Sequence, residues 1–314
     1  MAADLVCIGE ALAEFIQQPG QPGQADGRVL YQQGFGGDAL TAAVAAARFG
    51  TKSACIAAIG RDGSGEALAQ WLAGEGVETA ALRRSAKAST GIYAIDPAPE
   101  GPRMTDLRAA SAAAALAPDD VPEAMIKSAR IVFASGAAQG LSETAADAVF
   151  HAMALARQHG AAIAYATRYR PALWPARRAA AIIHAAIGEA DVALPSLADA
   201  ALLTGLGEPE AVLDFYLGLG PGLVLLTMGA EGVWLATPEA RVKIPPFPTA
   251  AVDPTGAEDC FCGAAIARML QGDTPEDAAH YAVAAAAIST TSYGATAPIP
   301  RTPEVWAAMA MRNR

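Results

Sequence analysis

Cationic side chains are scarce in this 314-residue sequence, and lysine is the scarcer of the two kinds. The chain has 22 Lys and Arg against 32 Asp and Glu, a formal charge of −10, and only four of its cations are lysine. An acidic chain has little with which to neutralise phosphates, which excludes nucleic acid and an anionic membrane as main partners. A local basic pocket for one small anion remains compatible with this balance.

Cysteine and histidine are also scarce, with four of each. The sequence contains no C-x-x-C pair and no H-E-x-x-H motif, so we expect no structural zinc site. We expect the cysteines to be buried free thiols; they are Cys7, Cys55, Cys260 and Cys262.

The sequence also lacks a basic N-terminal region and a long run of large apolar side chains. A signal peptide needs the first of these features, and a membrane-spanning helix of about 18 or more residues needs the second. The sequence therefore predicts a cytoplasmic protein that makes no membrane contact.

Hydrophobic patterning predicts an α/β chain. Short apolar runs such as 4–9 and 53–60 alternate with helical patterns of ten or more residues, such as 143–158. This alternation is typical of a parallel sheet with helices on both faces. Two hairpin-like segments, about 11–34 and 90–108, break the alternation and predict a small antiparallel outcrop.

Segment 252–261, VDPTGAEDCF, carries the strongest chemical signal. It follows a strand-like stretch and opens a helix, where small residues let backbone N–H groups converge on an anion. A carboxylate in the same turn, here Asp259, can accept a proton beside that anion. The combination suits phosphoryl transfer to an alcohol, although an ordinary capped helix has the same spacing, and the residues alone leave both interpretations open.

Segment 252–261 resembles the D-x-x-G-A-G-D signature of the ribokinase-like, or PfkB, carbohydrate kinases. Four other segments resemble elements of that family: GGDALT at 36–41, GRDGSG at 60–65, TMGAEG at 227–232 and YGA at 293–295. The resemblance covers nearly the whole chain. It implies one ribokinase-like three-layer α/β/α domain over 1–314, with a mostly parallel central sheet and a small antiparallel β lid formed by about 11–34 and 90–108.

Three segments are similar to the 2-dehydro-3-deoxygluconate (KDG) kinase branch of the family: YRPALW at 169–174, TGIY at 90–93, and Arg108 followed by SAA at 111–113. The resemblance implies that Gly37, Tyr93, Arg108 and Arg170 bind a sugar acid. Arginine suits this role because its rigid fork binds a carboxylate through two hydrogen bonds. A surface ion pair is the better interpretation of either arginine taken singly, whereas the two together in these motif positions favour ligand binding.

The same resemblance implies an ATP-dependent kinase in which Asp259 is the general base. The backbone N–H groups of Gly256, Ala257, Glu258 and Asp259 would hold the transferred phosphoryl group, with Mg²⁺ on the nucleotide and a monovalent cation as an additional candidate cofactor. The residues implied for the nucleotide site are Ser196, Thr227, Gly229 and Gly232. Metal ligands stay unassigned. The resemblance also implies a homodimer through the lid, whose exposed strand edges favour association.

Six residues depart from the family pattern: Thr41, Asp106, Ala166, Arg168, Asp199 and Glu258. Glu258 replaces a glycine, so we expect strain if its backbone needs a glycine-only conformation, and repulsion of phosphate by its carboxylate. Three hypotheses follow: a KDG kinase, a kinase for another sugar such as fructose or ribose, and a sugar- or nucleotide-binding protein that has lost catalysis.

Overall fold

The computed structural model describes residues 2–17, 29–96 and 103–312. The strands are β1 Leu5–Ile8, β2 Leu12–Gln17, β3 Tyr31–Gly36, β4 Ser53–Gly60, β5 Leu82–Ser85, β6 Ile92–Asp96, β7 Arg103–Leu107, β8 Ile131–Ser135, β9 Ala162–Ala166, β10 Val192–Leu194, β11 Leu223–Thr227, β12 Val233–Ala236 and β13 Arg241–Ile244.

The helices are α1 Asp38–Arg48, α2 Gly63–Gly74, α3 Glu123–Ser128, α4 Gly136–Gly140, α5 Glu143–His159, α6 Ala176–Gly188, α7 Leu197–Thr204, α8 Pro209–Leu219, α9 Ala257–Leu270, α10 Pro275–Ser289 and α11 Thr302–Arg312. None of these helices is both long and apolar enough to cross a bilayer.

Nine strands form the large sheet, in the order β13-β12-β11-β10-β9-β8-β1-β4-β5. The strands from β11 to β5 run parallel, and β12 and β13 extend the sheet with antiparallel pairing. Successive residues of a strand point to opposite faces, so Val6 and Ile8 enter one core while Leu5 and Cys7 enter the other. Both faces are covered by helices, and the fold class expected from the sequence is confirmed.

Four strands form a second, smaller sheet in the order β3-β2-β6-β7. The β2–β3 and β6–β7 pairs are antiparallel, as the hairpin pattern predicts, whereas the central β2–β6 pair is parallel. The connections between the hairpin strands, residues 18–28 and 97–102, lie outside the described residues.

Several boundaries differ from the sequence expectation. The apolar pattern places the second strand of the first hairpin at 28–33, but the strand is Tyr31–Gly36, because it continues to the start of α1. Aspartate after a glycine pair is typical of a helix N-cap, but Gly37 is the N-cap of α1 and Asp38 is its first helical residue. The patterning missed α8 and β13, since the Arg and Lys of the RVKI strand interrupt its apolar pattern.

Helices α1 and α9 pack unusually closely, which brings their N-termini together at one edge of the sheet. Gly263 of α9 lies against the backbone of α1, where an added Cβ would overlap the carbonyl oxygen of Ala42 and meet Cβ of Ala45 at 2.8 Å. Alanine on the facing helix and glycine here leave room for that approach. The free cysteines Cys260 and Cys262 are buried in the same layer, as expected.

We predict that Gly263→Ala lowers the free energy of unfolding by about 1–3 kcal/mol, because the new methyl group overlaps backbone that cannot move independently. Gly218→Ala is the matched control, since Gly218 is exposed on α8 with nothing within 4 Å of an added Cβ. That control should gain about 0.5–1 kcal/mol from helix propensity. Urea denaturation measures both, and equal effects of the two substitutions would contradict the close approach of α1 and α9.

Candidate active site

The candidate site is a cavity of about 810 Å³ beside the carboxyl ends of the central parallel strands. Ligands of open parallel sheets bind at this edge, because loops from neighbouring strands converge there. Eleven of the twelve residues that the sequence predicts for the site line this cavity: Gly37, Tyr93, Arg108, Arg170, Thr227, Gly229, Gly232, Gly256, Ala257, Glu258 and Asp259.

Ser196 is the exception, and it does not line the cavity. Its hydroxyl caps α7 by accepting a hydrogen bond from the backbone N–H of Asp199 at 3.1 Å. The Asp199 carboxylate in turn accepts hydrogen bonds from the Thr167 hydroxyl at 2.8 Å and the Tyr169 N–H at 3.0 Å. Asp199 therefore fixes the loop that follows β9, which carries Arg168 and Arg170 into the cavity.

The N-terminus of α9 forms one wall of the cavity. Gly256 is its N-cap with a left-handed φ of 76°, and an added Cβ would lie 2.6 Å from the carbonyl oxygen of Ala295. Only glycine both adopts this backbone conformation without strain and leaves room for the Ala295 carbonyl oxygen. The first amides of a helix have no intrahelical acceptor, and the helix dipole favours an anion in front of them. This wall can therefore bind a phosphoryl group.

Glu258 does not have the strained backbone that its replacement of glycine led us to expect. It lies in the first turn of α9, and Arg168, with φ 38°, is the one non-glycine residue with a positive φ in the described ranges. The Glu258 carboxylate forms an ion pair with the Arg168 guanidinium. Its charge is thus balanced within the protein.

Asp259 is buried beside that pair. Its Oδ1 accepts a hydrogen bond from Nε of Arg168 at 2.7 Å and forms an ion pair with Nη2 of the same side chain. Burial raises the pKa of the Asp259 carboxyl, and the Arg168 and Arg170 guanidinium groups oppose that increase. A carboxylate with a raised pKa at a helix N-terminus is suited to accept a proton.

The two arginines that the sequence predicts for substrate binding differ in their partners. Arg108 is buried, and its guanidinium binds Glu10 at 2.6 Å and Asp106 at 2.7 Å. Arg170 lines the same cavity and has no ion-pair partner within residues 2–17, 29–96 and 103–312. Of the two, Arg170 is therefore the cation available to a ligand.

Tyr93 faces the cavity but directs its hydroxyl toward the protein. That hydroxyl donates to Oε2 of Glu14 at 2.6 Å, and the N–H of Ala295 donates to the same oxygen at 3.0 Å. Burial raises the pKa of Glu14 to about 7. These hydrogen bonds join two strands of the small sheet to the segment that packs on Gly256.

The sequence analysis missed Glu10, Glu14 and Asp38. Asp38 accepts hydrogen bonds from the Glu10 N–H at 3.2 Å and from the Ser135 hydroxyl, and burial, followed by the nearby Glu10 charge, raises its pKa to about 7. Oε1 of Glu10 and the hydroxyl of Thr41 are buried in the cavity wall, and neither has a hydrogen-bond partner among the described residues. The only available signal was a carboxylate directly after a buried strand, as in IGE at 8–10.

The opposite end of the cavity is apolar and rich in glycine. Thr227, Gly229 and Gly232 lie there in the turn between β11 and β12. Apolar side chains from the segment before α9 and from α10 complete its walls: Pro246, Phe247, Pro248, Val283, Ala286 and Ala287. The flat aromatic base of a nucleotide fits an apolar slot of this kind, with the phosphates of the nucleotide toward α9.

Comparisons with known proteins agree with this architecture. The profile of the pfkB family carbohydrate kinases matches residues 2–302. A 2-dehydro-3-deoxygluconokinase of Thermoproteus tenax is 31% identical over 301 residues, covering 94% of this chain and 91% of the relative. The rice (Oryza sativa subsp. japonica) protein fructokinase-1 is 29% identical over 312 residues, covering 96% of each.

Among solved structures, a putative ribokinase II from E. coli in complex with ATP and Mg²⁺ superposes with a TM-score of 0.90 at 24% identity, covering 98% of this chain and 99% of that one. This likeness concerns the fold. With the family match over nearly the whole chain, it follows that the protein belongs to the pfkB family of carbohydrate kinases.

We predict that Glu14→Gln removes part of the pH dependence of stability. Burial raises the pKa of Glu14 from its ordinary value of 4.5 to about 7 in the folded chain, so the folded state favours the protonated carboxyl. The unfolding free energy of wild type relative to the variant should therefore fall as pH rises from 4.5 to 7 and stay level above it.

Urea titrations at several pH values between 4.5 and 8 measure this difference. Glu143→Gln is the control, because the Glu143 side chain is 83% exposed. If the difference in unfolding free energy between wild type and Glu14→Gln does not change over this pH range, Glu14 titrates normally.

Proposed function

We propose that the protein transfers the γ-phosphoryl group of ATP to the terminal hydroxyl of a sugar acid, with 2-dehydro-3-deoxy-D-gluconate as the first candidate. The observation that carries the proposal is a buried carboxylate, Asp259, in the first turn of a helix whose N-terminal residues line the same cavity. The Ala257 N–H of that turn donates to the Pro254 carbonyl oxygen at 3.1 Å, so the other amides of the turn would bind the phosphoryl group. An alcohol placed there meets a base and an anion-binding helix end together.

In the proposed reaction, Asp259 accepts the proton of the terminal hydroxyl as that oxygen bonds to the γ-phosphorus. The bond between the γ-phosphorus and the bridging oxygen breaks, and ADP leaves. The amides at the start of α9 stabilise the charge on the transferred group, as preorganised donors do in other enzymes. The slot with Thr227, Gly229 and Gly232 would hold the nucleotide.

The proposal includes Mg²⁺ as the partner of the nucleotide. Within the described part of the chain, no three His, Cys, Asp or Glu side chains converge in a way that could hold a metal ion. This fits an ion held mainly by phosphates and water, as magnesium commonly is with nucleotides. Such an ion supplies neutralisation of phosphate charge, while the α9 amides orient the phosphoryl group.

Arg170, which has no ion-pair partner among the residues that the structure describes, supports a sugar acid as the acceptor. A guanidinium without a carboxylate partner in a partly enclosed cavity favours an anionic ligand. The curated relative from Thermoproteus tenax is a kinase for such an acid.

A neutral ketose such as fructose is the second candidate, and two observations favour it. Arg108 already has two carboxylate partners. The unpartnered Glu10 and Thr41 oxygens could bind sugar hydroxyls. A fructokinase is among the relatives.

We predict turnover in an assay of ADP release with KDG, fructose, ribose or no sugar at fixed Mg-ATP, with KDG giving the highest kcat/KM. A higher value for fructose or ribose would reject the sugar-acid assignment while keeping the kinase. No turnover above the sugar-free rate with any of them would contradict the proposed activity.

Two variants control this assay. Asp259→Asn should lower kcat by about 10²–10⁴-fold, the range for a general base, and a loss below threefold would remove Asp259 from that role. Arg170→Met should raise KM for KDG by about 10–100-fold, because a charge-assisted hydrogen bond contributes about 1.5–3 kcal/mol. Its KM for a neutral sugar should change little.

We also propose that the small sheet closes over the sugar as a lid and pairs with a second copy of the chain. Its two outer strands and the residues before β3 expose large apolar side chains: Val29, Leu30, Tyr31, Met104 and Leu107. Unpaired edges with apolar side chains favour association.

We predict a solution mass of twice 31.9 kDa by light scattering after size exclusion. Leu107→Lys should shift the protein toward the single-chain mass, because the Leu107 side chain is 65% exposed on an outer strand. Leu202→Lys, on α7 with similar exposure, should leave the mass unchanged. A single-chain mass for wild type at micromolar concentration would contradict the dimer.

A further inference from the structure

Arg168 lies between the two carboxylates at the start of α9. Three nitrogens of its guanidinium are engaged, Nε and Nη2 with Asp259 and Nη1 with Glu258. The side chains of Arg168 and Asp259 are 7% and 8% exposed, whereas that of Glu258 is 41% exposed. A planar guanidinium in this arrangement fixes the orientation of both carboxylates.

The backbone at Arg168 has an uncommon conformation. Its φ of 38° lies in the left-handed region, which long side chains rarely adopt. Both neighbouring residues are fixed, since Asp199 accepts hydrogen bonds from the Thr167 hydroxyl and the Tyr169 N–H. Strained conformations that the surroundings hold in place occur preferentially at functional sites.

The surroundings of Asp259 make a counter-charge necessary. Acidic or neutral titratable groups approach it from four elements: Asp38 on α1, Cys7 on β1, Tyr93 on β6, and Glu258, Cys260 and Cys262 on α9. The cations that act on it are Arg168 and Arg170, and Arg168 alone touches it. Without Arg168, a buried carboxylate beside Glu258 would take up a proton more readily.

We propose that Arg168 is a positioning residue for the base: anchored by Glu258, its guanidinium holds the Asp259 carboxylate in the orientation and charge state that accept a proton. This inference rests on the proposed kinase function. It explains both residues that depart from the family pattern here: Glu258 anchors the Arg168 guanidinium, and Arg168 neutralises the Glu258 carboxylate. The two residues form one unit with Asp259 rather than two defects in the anion site.

The kinetic test compares the pH dependence of kcat/KM for the best acceptor sugar in wild type, Arg168→Met and Arg168→Lys. We expect Arg168→Met to lower kcat/KM by about 100-fold at pH 6.5 and by less than about tenfold at pH 9. The acidic limb of its pH–rate profile should move up by about one pH unit or more. Arg168→Lys, which keeps the charge, should lie between the two. An equal loss at both pH values with no movement of the limb would overturn the proposal.

A double variant tests the unit directly. Glu258→Gln in the Arg168→Met background removes the like charge left beside Asp259, so it should recover at least fivefold activity at pH 6.5 and move the acidic limb back. A further loss in the double variant would contradict the proposed coupling, because independent structural defects would add.

A second readout does not depend on activity. The unfolding midpoint of Arg168→Met relative to wild type should fall further as pH rises from 5 to 8, because the folded variant resists ionisation of Asp259. Arg48→Met is the matched control: Arg48 forms a similarly buried ion pair with Glu75, away from the cavity. Its loss of stability should be the same across this range, and its pH–rate profile should match that of wild type.

The two readouts separate this inference from the proposed function. If wild type phosphorylates no sugar but the pH-dependent stability difference appears, the kinase assignment fails and the ion-pair unit stands. If wild type is active but neither the limb nor the stability difference responds to Arg168→Met, the positioning role fails alone. Where Arg168→Met does not fold, Arg168→Lys must still move the acidic limb, and an unmoved limb overturns the inference.

Discussion

The close packing of α1 on α9 is the constraint on which the rest of the site depends. Because Gly263 has no side chain, the α9 backbone reaches the α1 carbonyls, and the N-termini of both helices meet beside the ends of β1 and β9. Gly37, Asp38 and the first turn of α9 thereby share one cavity. Two helix N-termini at one point create a positive potential that suits phosphate, and they also draw in the carboxylates found there.

The balance of charge is a second physical constraint on the cavity. Acidic side chains outnumber the arginines that pair with them. Each of the two buried arginines therefore contacts two carboxylates: Arg108 contacts Glu10 and Asp106, and Arg168 contacts Glu258 and Asp259. A buried charge is tolerated only with such partners. Substituting one member of either set therefore disturbs the others.

Much of the architecture could be predicted because it depends on short-range patterning. Alternating apolar runs and helical segments identified the parallel sheet, and the hairpin spacing identified the strand pairs of the small sheet. The VDPTGAEDCF segment likewise indicated Asp259 from local sequence. Among the elements that the sequence pattern did not predict, β13 has mixed polarity, and its pairing with β12 in the sheet stabilises it.

The sequence by itself determined the fold class and the helix start that carries Asp259, and it marked Arg108 and Arg170 as candidate substrate ligands, since these signals come from short segments of the chain. Only the tertiary structure decided which arginine is free, that Glu258 has a helical backbone and a cationic partner, and that Tyr93 binds Glu14. The reason is distance along the chain: Arg168 and Asp259 are 91 residues apart. Their pairing arises from the order of strands in the sheet, which no local pattern encodes.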